Sequence, residues 1–221
     1  MMASLLAEFI GTFALILIGA GAICAEVLSG GKVGITGIAL AHGLTIMAMA
    51  YSLGHISGGH FNPAVTIAMF VNKKIKLHQG VSYIVAQLVA AAVAGYLLRA
   101  VAPSLVNSAP FLGACDLNGV SVGLGVLIEA ILTFFLVTVI WGVAVDGRGN
   151  KTVAGLAIGL TITLDILMGG YFTGAALNPA RAFGPALATG HWANHLVYWV
   201  GPILGALGAG LLSEKVFLKS K

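Results

Sequence analysis

The chain has 221 residues, of which 59% are hydrophobic and only 8% are Asp, Glu, Lys or Arg, with a mean hydropathy of +1.02. A soluble domain carries about 25% charged residues to cover its surface, so a soluble globular protein is excluded. The net charge of +4 has no basic face to carry it and is not a nucleic-acid signature; it reads as the topogenic Lys and Arg of a membrane protein.

In chain order, the first apolar segment covers roughly residues 4–27 and holds Glu8, an acid expected to turn inward and accept hydrogen bonds from irregular backbone. With no basic leader and no small-residue cleavage site, residues 5–25 read as a retained span rather than a removable signal. A second segment, about 34–54, carries His42 next to Gly43. Residues 54–60 are Gly-rich and too polar to face lipid, and from Asn62 an apolar run of about ten residues follows. That is too short to span a bilayer and fits a re-entrant half-helix. Lys73, Lys74 and Lys76 close it. A third span is expected at about 79–101, then a loop at 102–119 with Pro103, Pro110, Cys115 and Asp116. The fourth, at about 120–143, holds Glu129. The turn 146–151 leads to a fifth at 152–168, a second half-helix running to about Ala188, and a sixth at 195–214.

Each half-helix opens on the same phrase. Asn62-Pro63-Ala64 returns as Asn178-Pro179-Ala180, 116 positions later. Asn is a good N-cap and Pro suits the first helical position. Helix starts at membrane depth leave unpaired N–H groups, tolerated only in protein or beside a cavity.

The halves match elsewhere. Glu8, Thr12 and Phe13 are answered by Glu129, Thr133 and Phe134; residues 43–46 by 159–162; Tyr83, Ala91 and Gly95 by Tyr198, Ala206 and Gly210. Three spans per half make the second half inverted, with a functional site expected near the midplane. The expected division is 1–101, a connecting loop 102–119, and 120–221. Lys73, Lys74, Lys76, Arg148, Lys151, Lys215, Lys219 and Lys221 fall on one side, Lys32 and Arg99 on the other. The positive-inside rule then puts both termini in the cytoplasm.

Facing half-helix N-termini turn two positive dipole ends toward the lumen. Asn62 and Asn178 are expected to cap with their side-chain oxygens and to offer amide donors to a passing oxygen, so a water there is poorly oriented to hand on a proton. Arg181 adds a fixed positive charge toward the outer mouth; salt-bridging to Asp165 or Glu129 is the alternative reading. Asp165 itself has no partner legible in the sequence. Cys24 and Cys115 make no disulfide framework, though both are expected toward the outer side, where a pair is conceivable. His55 and His60 lie in a glycine-rich bend with no Cys nearby, which is not a metal pattern. No nucleotide motif, enzyme constellation or cofactor site is present. The rival mechanism is a coupled secondary transporter, which would use Glu8 and Glu129 for protons or ions.

The stretches 55–66 and 173–181, with the paired Glu residues and the six-span repeat, resemble the aquaporins, the major intrinsic protein family, along essentially the whole chain. The resemblance implies a right-handed all-α bundle of six transmembrane helices plus two re-entrant half-helices. It implies a homotetramer in the lipid bilayer with one pore per subunit, passing water and small neutral solutes while excluding ions. It places an outer selectivity filter at His42, Ile166, Ala175 and Arg181, with Glu8, Glu129 and His60 as structural support. Water channels of the family usually carry Phe and His where this chain has His42 and Ile166, a combination similar to the plant vacuolar-membrane branch. Ammonia, urea or hydrogen peroxide are therefore expected beside water, with His42 as a neutral pore-lining imidazole. The glycerol branch usually has Asp where this chain has Ala182 and Pro-Leu where it has Tyr198-Trp199, and Ala186 is also water-like. Glycerol is therefore the alternative substrate. The short termini suit a cell membrane as well as a vacuolar one.

Overall fold

A computed structural model describes residues 1–218; Lys219 and Lys221, counted above among the charges of one side, lie outside the described residues. In chain order the helices are α1 (Met2–Leu28), α2 (Gly34–Ser57), the short α3 (Pro63–Val71), α4 (Leu77–Val101), α5 (Val122–Val145), α6 (Lys151–Gly169), the short α7 (Pro179–Thr189) and α8 (Val197–Phe217). Six of them are long and apolar enough to cross a membrane. The two short ones have 9 and 11 residues. At about 1.5 Å per residue each reaches roughly half of a 30 Å hydrocarbon core. No strand occurs among the described residues.

Contacts between helices come in matched pairs. α1 packs on α4 as α5 packs on α8, and α2 packs on α6 across the middle. Each half-helix also lies against the last long helix of the other half, α3 on α8 and α7 on α4. Lipid supplies little hydrophobic drive between spans, so backbones must approach closely enough for dispersion to hold them. Glycine permits this at the two central crossings. A Cβ on Gly43 would run into Thr163 and the Gly159 carbonyl of α6, and a Cβ on Gly95 into the Gly184 carbonyl of α7. The outward faces are apolar at helical spacing, as in Val81, Val85, Val89 and Val93 of α4, all exposed and suited to acyl chains.

The two ends differ in charge. At one end Lys74 pairs with Glu214 at 2.8 Å, Trp141 Nε1 donates to Glu214, and Arg148 joins Asp146 and the Phe217 carbonyl. That end gathers the close of α3, the turn after α5 and the close of α8. At the other, Arg99 Nη1 donates to the Ala188 carbonyl at 2.6 Å, a cation on the C-terminal turn of α7. Cys24 and Cys115 are both buried and free, so the pairing left open above does not occur.

Candidate functional site: a channel between two half-helices

Ahead of each half-helix the backbone is strained in the same way. Gly58 and Gly174 have φ of 94° and 84°, Gly59 and Ala175 63° and 43°, Phe61 and Leu177 49° and 52°. Three of these residues carry side chains in a region that disfavours them. Such strain persists only where its surroundings over-determine it. Here two buried acids do so. Glu8 accepts from Ser57 Oγ, the N–H groups of His60 and Phe61, and Gln87 Nε2, at 2.6–2.9 Å. Glu129 accepts from Thr173 Oγ1 and the N–H groups of Ala176 and Leu177, at 2.7–2.9 Å.

His60 belongs to the same support. The Thr66 hydroxyl donates to the Asn62 carbonyl, so its oxygen accepts from Gln87 Nε2 and from His60 Nδ1. The His60 proton therefore sits on Nδ1. The second half has Ala176 and Ala182 where the first has His60 and Thr66, and this side-chain network has no counterpart there.

The two Asn residues cap and cross-link at once. Asn62 Oδ1 accepts from Ala64 N, and Asn178 Oδ1 from Ala180 N and Arg181 N. Asn62 Nδ2 donates to the Leu177 carbonyl and Asn178 Nδ2 to the Phe61 carbonyl, each at 2.8 Å. The helix starts are thus tied tip to tip. Each amide carries two hydrogens, and one is spent across the junction. The expected capping by the side-chain oxygens is present, and the cross-link leaves one hydrogen on each amide for a passing oxygen.

A cavity of about 340 Å³ runs past this junction. Its lining includes the apolar side chains of Ile46, Val65, Leu136, Ile140, Ile158 and Ile162 and the strained backbone at Gly58–His60 and Ala175–Leu177. The carbonyls of Gly58, Gly59 and His60, and of Gly174, Ala175 and Ala176, accept no hydrogen bond from described residues. Carbonyls without a protein partner at this depth are costly unless water or a solute reaches them. Lys74, Ile75 and Val145 lie at one end of the cavity.

Toward the other end the cavity is lined by His42, Ile166, Ala175 and Arg181 together, all buried. Four separate stretches of chain bring them there. His42 Nδ1 donates to the Ile38 carbonyl at 2.8 Å, which leaves the Nε2 lone pair facing Arg181 Nη2 at 3.4 Å. Gly19, where a Cβ would meet the imidazole, makes room for the ring. Arg181 Nη1 donates to the Gly113 carbonyl and to Cys115 Sγ, both at 2.7 Å, while Nε has no protein partner. Of five guanidinium hydrogens, Nε–H and one on Nη2 stay uncommitted. Neither Asp165 nor Glu129 pairs with Arg181, so the salt-bridge alternative is overturned: Glu129 is engaged by residues 173–177, and Arg181 by the loop. Asp165 is buried with Oδ2 unpartnered and does not line the cavity.

Ala182, Ala186, Tyr198 and Trp199 are not among the lining residues either; Ala182 and Tyr198 pack behind the wall with Cys115 and Ala176. The expectations missed Gly113, Cys115, Thr66 and Gln87. Glu8 and Gln87 lie 79 positions apart, and no local pattern links them. Among the described residues no His, Cys, Asp and Glu cluster forms a metal site.

The major intrinsic protein model matches residues 1–213. Aquaporin-4 of Mus musculus is 43% identical over 219 residues, which cover 96% of this chain and 66% of that protein, so the chain spans just under two thirds of it. Aquaporin TIP4-1 of Zea mays is 40% identical over 226 residues, covering 99% of this chain and 87% of that one. Among solved structures, the X-ray structure of the aquaglyceroporin from Plasmodium falciparum matches with a TM-score of 0.87 and 28% identity, over 98% of this chain and 96% of that one. The chain belongs to the major intrinsic protein family, the aquaporins, a family of passive membrane channels rather than enzymes.

Proposed function

We propose that this chain is a water channel that excludes protons and ions and also passes ammonia, urea or hydrogen peroxide. The observation that carries the reading is the cavity running past the tied helix tips, lined both by apolar side chains and by backbone whose carbonyls have no protein partner. Water moving along the carbonyls keeps hydrogen bonds throughout, so entry costs little. At the tips the remaining amide hydrogens of Asn62 and Asn178 donate to its oxygen, and two helix N-termini hold a positive field there. A proton carrier is disfavoured by that field, and the proton wire is broken by the orientation of the water.

We assign solute choice to His42, Ile166, Ala175 and Arg181. Arg181 offers its uncommitted Nη2 hydrogen and repels cations, His42 offers a lone pair, and Ile166 and Ala175 leave an apolar side without donors. Glycerol is the second reading, supported by the likeness to an aquaglyceroporin; Ala182 and Tyr198-Trp199 speak against it. The matched contacts support a division into 1–101, a connector 102–119 and 120–221. The basic end made by Lys74 and Arg148 supports cytoplasmic termini; a cell membrane is the first location proposed and a vacuolar membrane the second. A homotetramer is part of the proposal.

Osmotic shrinkage of proteoliposomes tests the function. Water flow well above that of empty liposomes is expected, with urea and ammonia uptake exceeding glycerol uptake per channel. Flow no faster than the empty control sinks the channel reading, and glycerol outpacing urea sinks the filter assignment.

A further inference from the structure

We propose that Cys115 is a positioning residue for Arg181, so that a thiol in the α4–α5 loop sets how strictly the channel discriminates against solutes larger than water. The inference rests on the reading of Arg181 as part of the filter.

Cys115 is buried and reduced, with its sulfur 2.7 Å from Arg181 Nη1. Its other side lies against the backbone of Gly174, where even a Cβ would come within 3.2 Å of the sulfur. The thiol is thus wedged between the connector that precedes Ala175 and the guanidinium. The two Nη1 hydrogens go to the Gly113 carbonyl and to this sulfur, so Nη1 is fully committed to the loop. Two bonds from Nη1 fix the plane of the guanidinium on the loop side; with the Gly113 bond alone, only the longer Nη2 contact to His42 at 3.4 Å opposes a pivot. The pivot matters because Nη2, which keeps one hydrogen uncommitted, moves with the guanidinium plane and is the donor left for solute.

The loop is itself held where the thiol is presented. Asp116 accepts from Asn194 Nδ2 at 3.0 Å and lies 2.9 Å from His191 Nε2, and the His191 ring stacks on Phe111 at 4.1 Å. Asn118 N–H donates to the Phe172 carbonyl at 2.9 Å. Gly113 packs against Ala20 of α1 so closely that a Cβ there would sit 3.0 Å from the Ala20 side chain. A loop anchored on both sides of Cys115 gives the sulfur a defined place.

The test compares urea and water permeability in proteoliposomes of Cys115→Ala, Cys115→Val and Cys115→Ser, with Arg181→Val in parallel. Valine fills the volume without an acceptor, so it keeps the test valid if the alanine variant fails to fold. Serine keeps an acceptor. Loss of one hydrogen bond to a charged group predicts a rise of about three- to tenfold in the urea-to-water ratio for Ala and Val. Ser is expected to stay within about twofold of the parent, since an acceptor remains. A parent-like ratio in Val, or a Ser variant that follows Val, overturns the proposal. If Arg181→Val raises the ratio while the Cys115 variants do not, this inference alone fails; if Arg181→Val also leaves it unchanged, the filter reading fails with it.

Discussion

Asn62 donates through Nδ2 to the carbonyl of Leu177 at 2.8 Å, across 115 positions of sequence. Asn178 returns the bond to the Phe61 carbonyl. Each side chain therefore closes a helix tip and buttons it to the other, and the two are unequal. Asn62 caps one N–H, whereas Asn178 caps two, one of them that of Arg181. Asn178→Ala is expected to cost about 1–3 kcal/mol, from the lost cap and the stranded Phe61 carbonyl. Asn62→Ala should cost less, and only Asn178→Ala should noticeably loosen sodium exclusion. Thermal unfolding in detergent and sodium flux into liposomes check both; equal effects from the two variants would falsify the inequality.

The acids that hold the connectors offer a second test. Glu8 receives four donors, two on each oxygen. Glutamine at that place turns one acceptor oxygen into an NH₂ group that faces N–H donors. Glu8→Gln should lose roughly 2–5 kcal/mol, because buried donors are left unpaired. Glu129→Gln, with three donors and no counterpart of Gln87, should lose less. Refolding yield and unfolding midpoints read this directly. A Glu8→Gln protein as stable as the parent would mean that the strained backbone holds itself.

These acids were legible in the sequence because an acid in an apolar helix has few uses, and because Glu8 and Glu129 recur with Thr12 and Thr133. The spans and half-helices were equally plain, since bilayer thickness fixes their lengths and Asn-Pro fixes two starts. The support of Arg181 was not. Gly113 and Cys115 lie in an irregular loop 68 and 66 positions away, where no periodicity says which atom faces inward. Asp165 was conspicuous as a residue, and nothing in the structure explains its unpartnered oxygen.

The filter assignment predicts a direction for the double change His42→Phe with Ile166→His. Phenylalanine removes the lone pair that faces Arg181 Nη2 and adds bulk, and histidine puts a donor on the apolar side. The opening narrows and becomes polar on both sides. Urea permeability should fall roughly tenfold relative to water, in line with what one group in a fitted site discriminates. Stopped-flow light scattering with urea and sucrose gradients measures the ratio. An unchanged ratio would place the discriminating constriction elsewhere in the cavity.

The loop that bears on Arg181 should respond to acid in a defined sense. Burial works to raise the Asp116 carboxyl, but the bonds from Asn194, from the Leu117 N–H and from His191 outweigh it and hold the group below the usual carboxylate range. A group depressed in the folded state contributes stability above its unfolded value, and that contribution is lost as pH falls through the folded value. Asp116→Asn removes the contribution at every pH. The unfolding midpoint of the parent should therefore exceed that of Asp116→Asn at pH 7. The gap should not shrink on going to pH 5, which still lies above the range in which the Asp116 carboxyl gains its proton. It should close only as pH falls below the ordinary carboxylate value of 3.8. A gap that closes between pH 7 and pH 5 would mean that the carboxylate charge is not what holds the anchor. The loop would then be tied through Asn194 and the Phe111 stack rather than through the charge on Asp116.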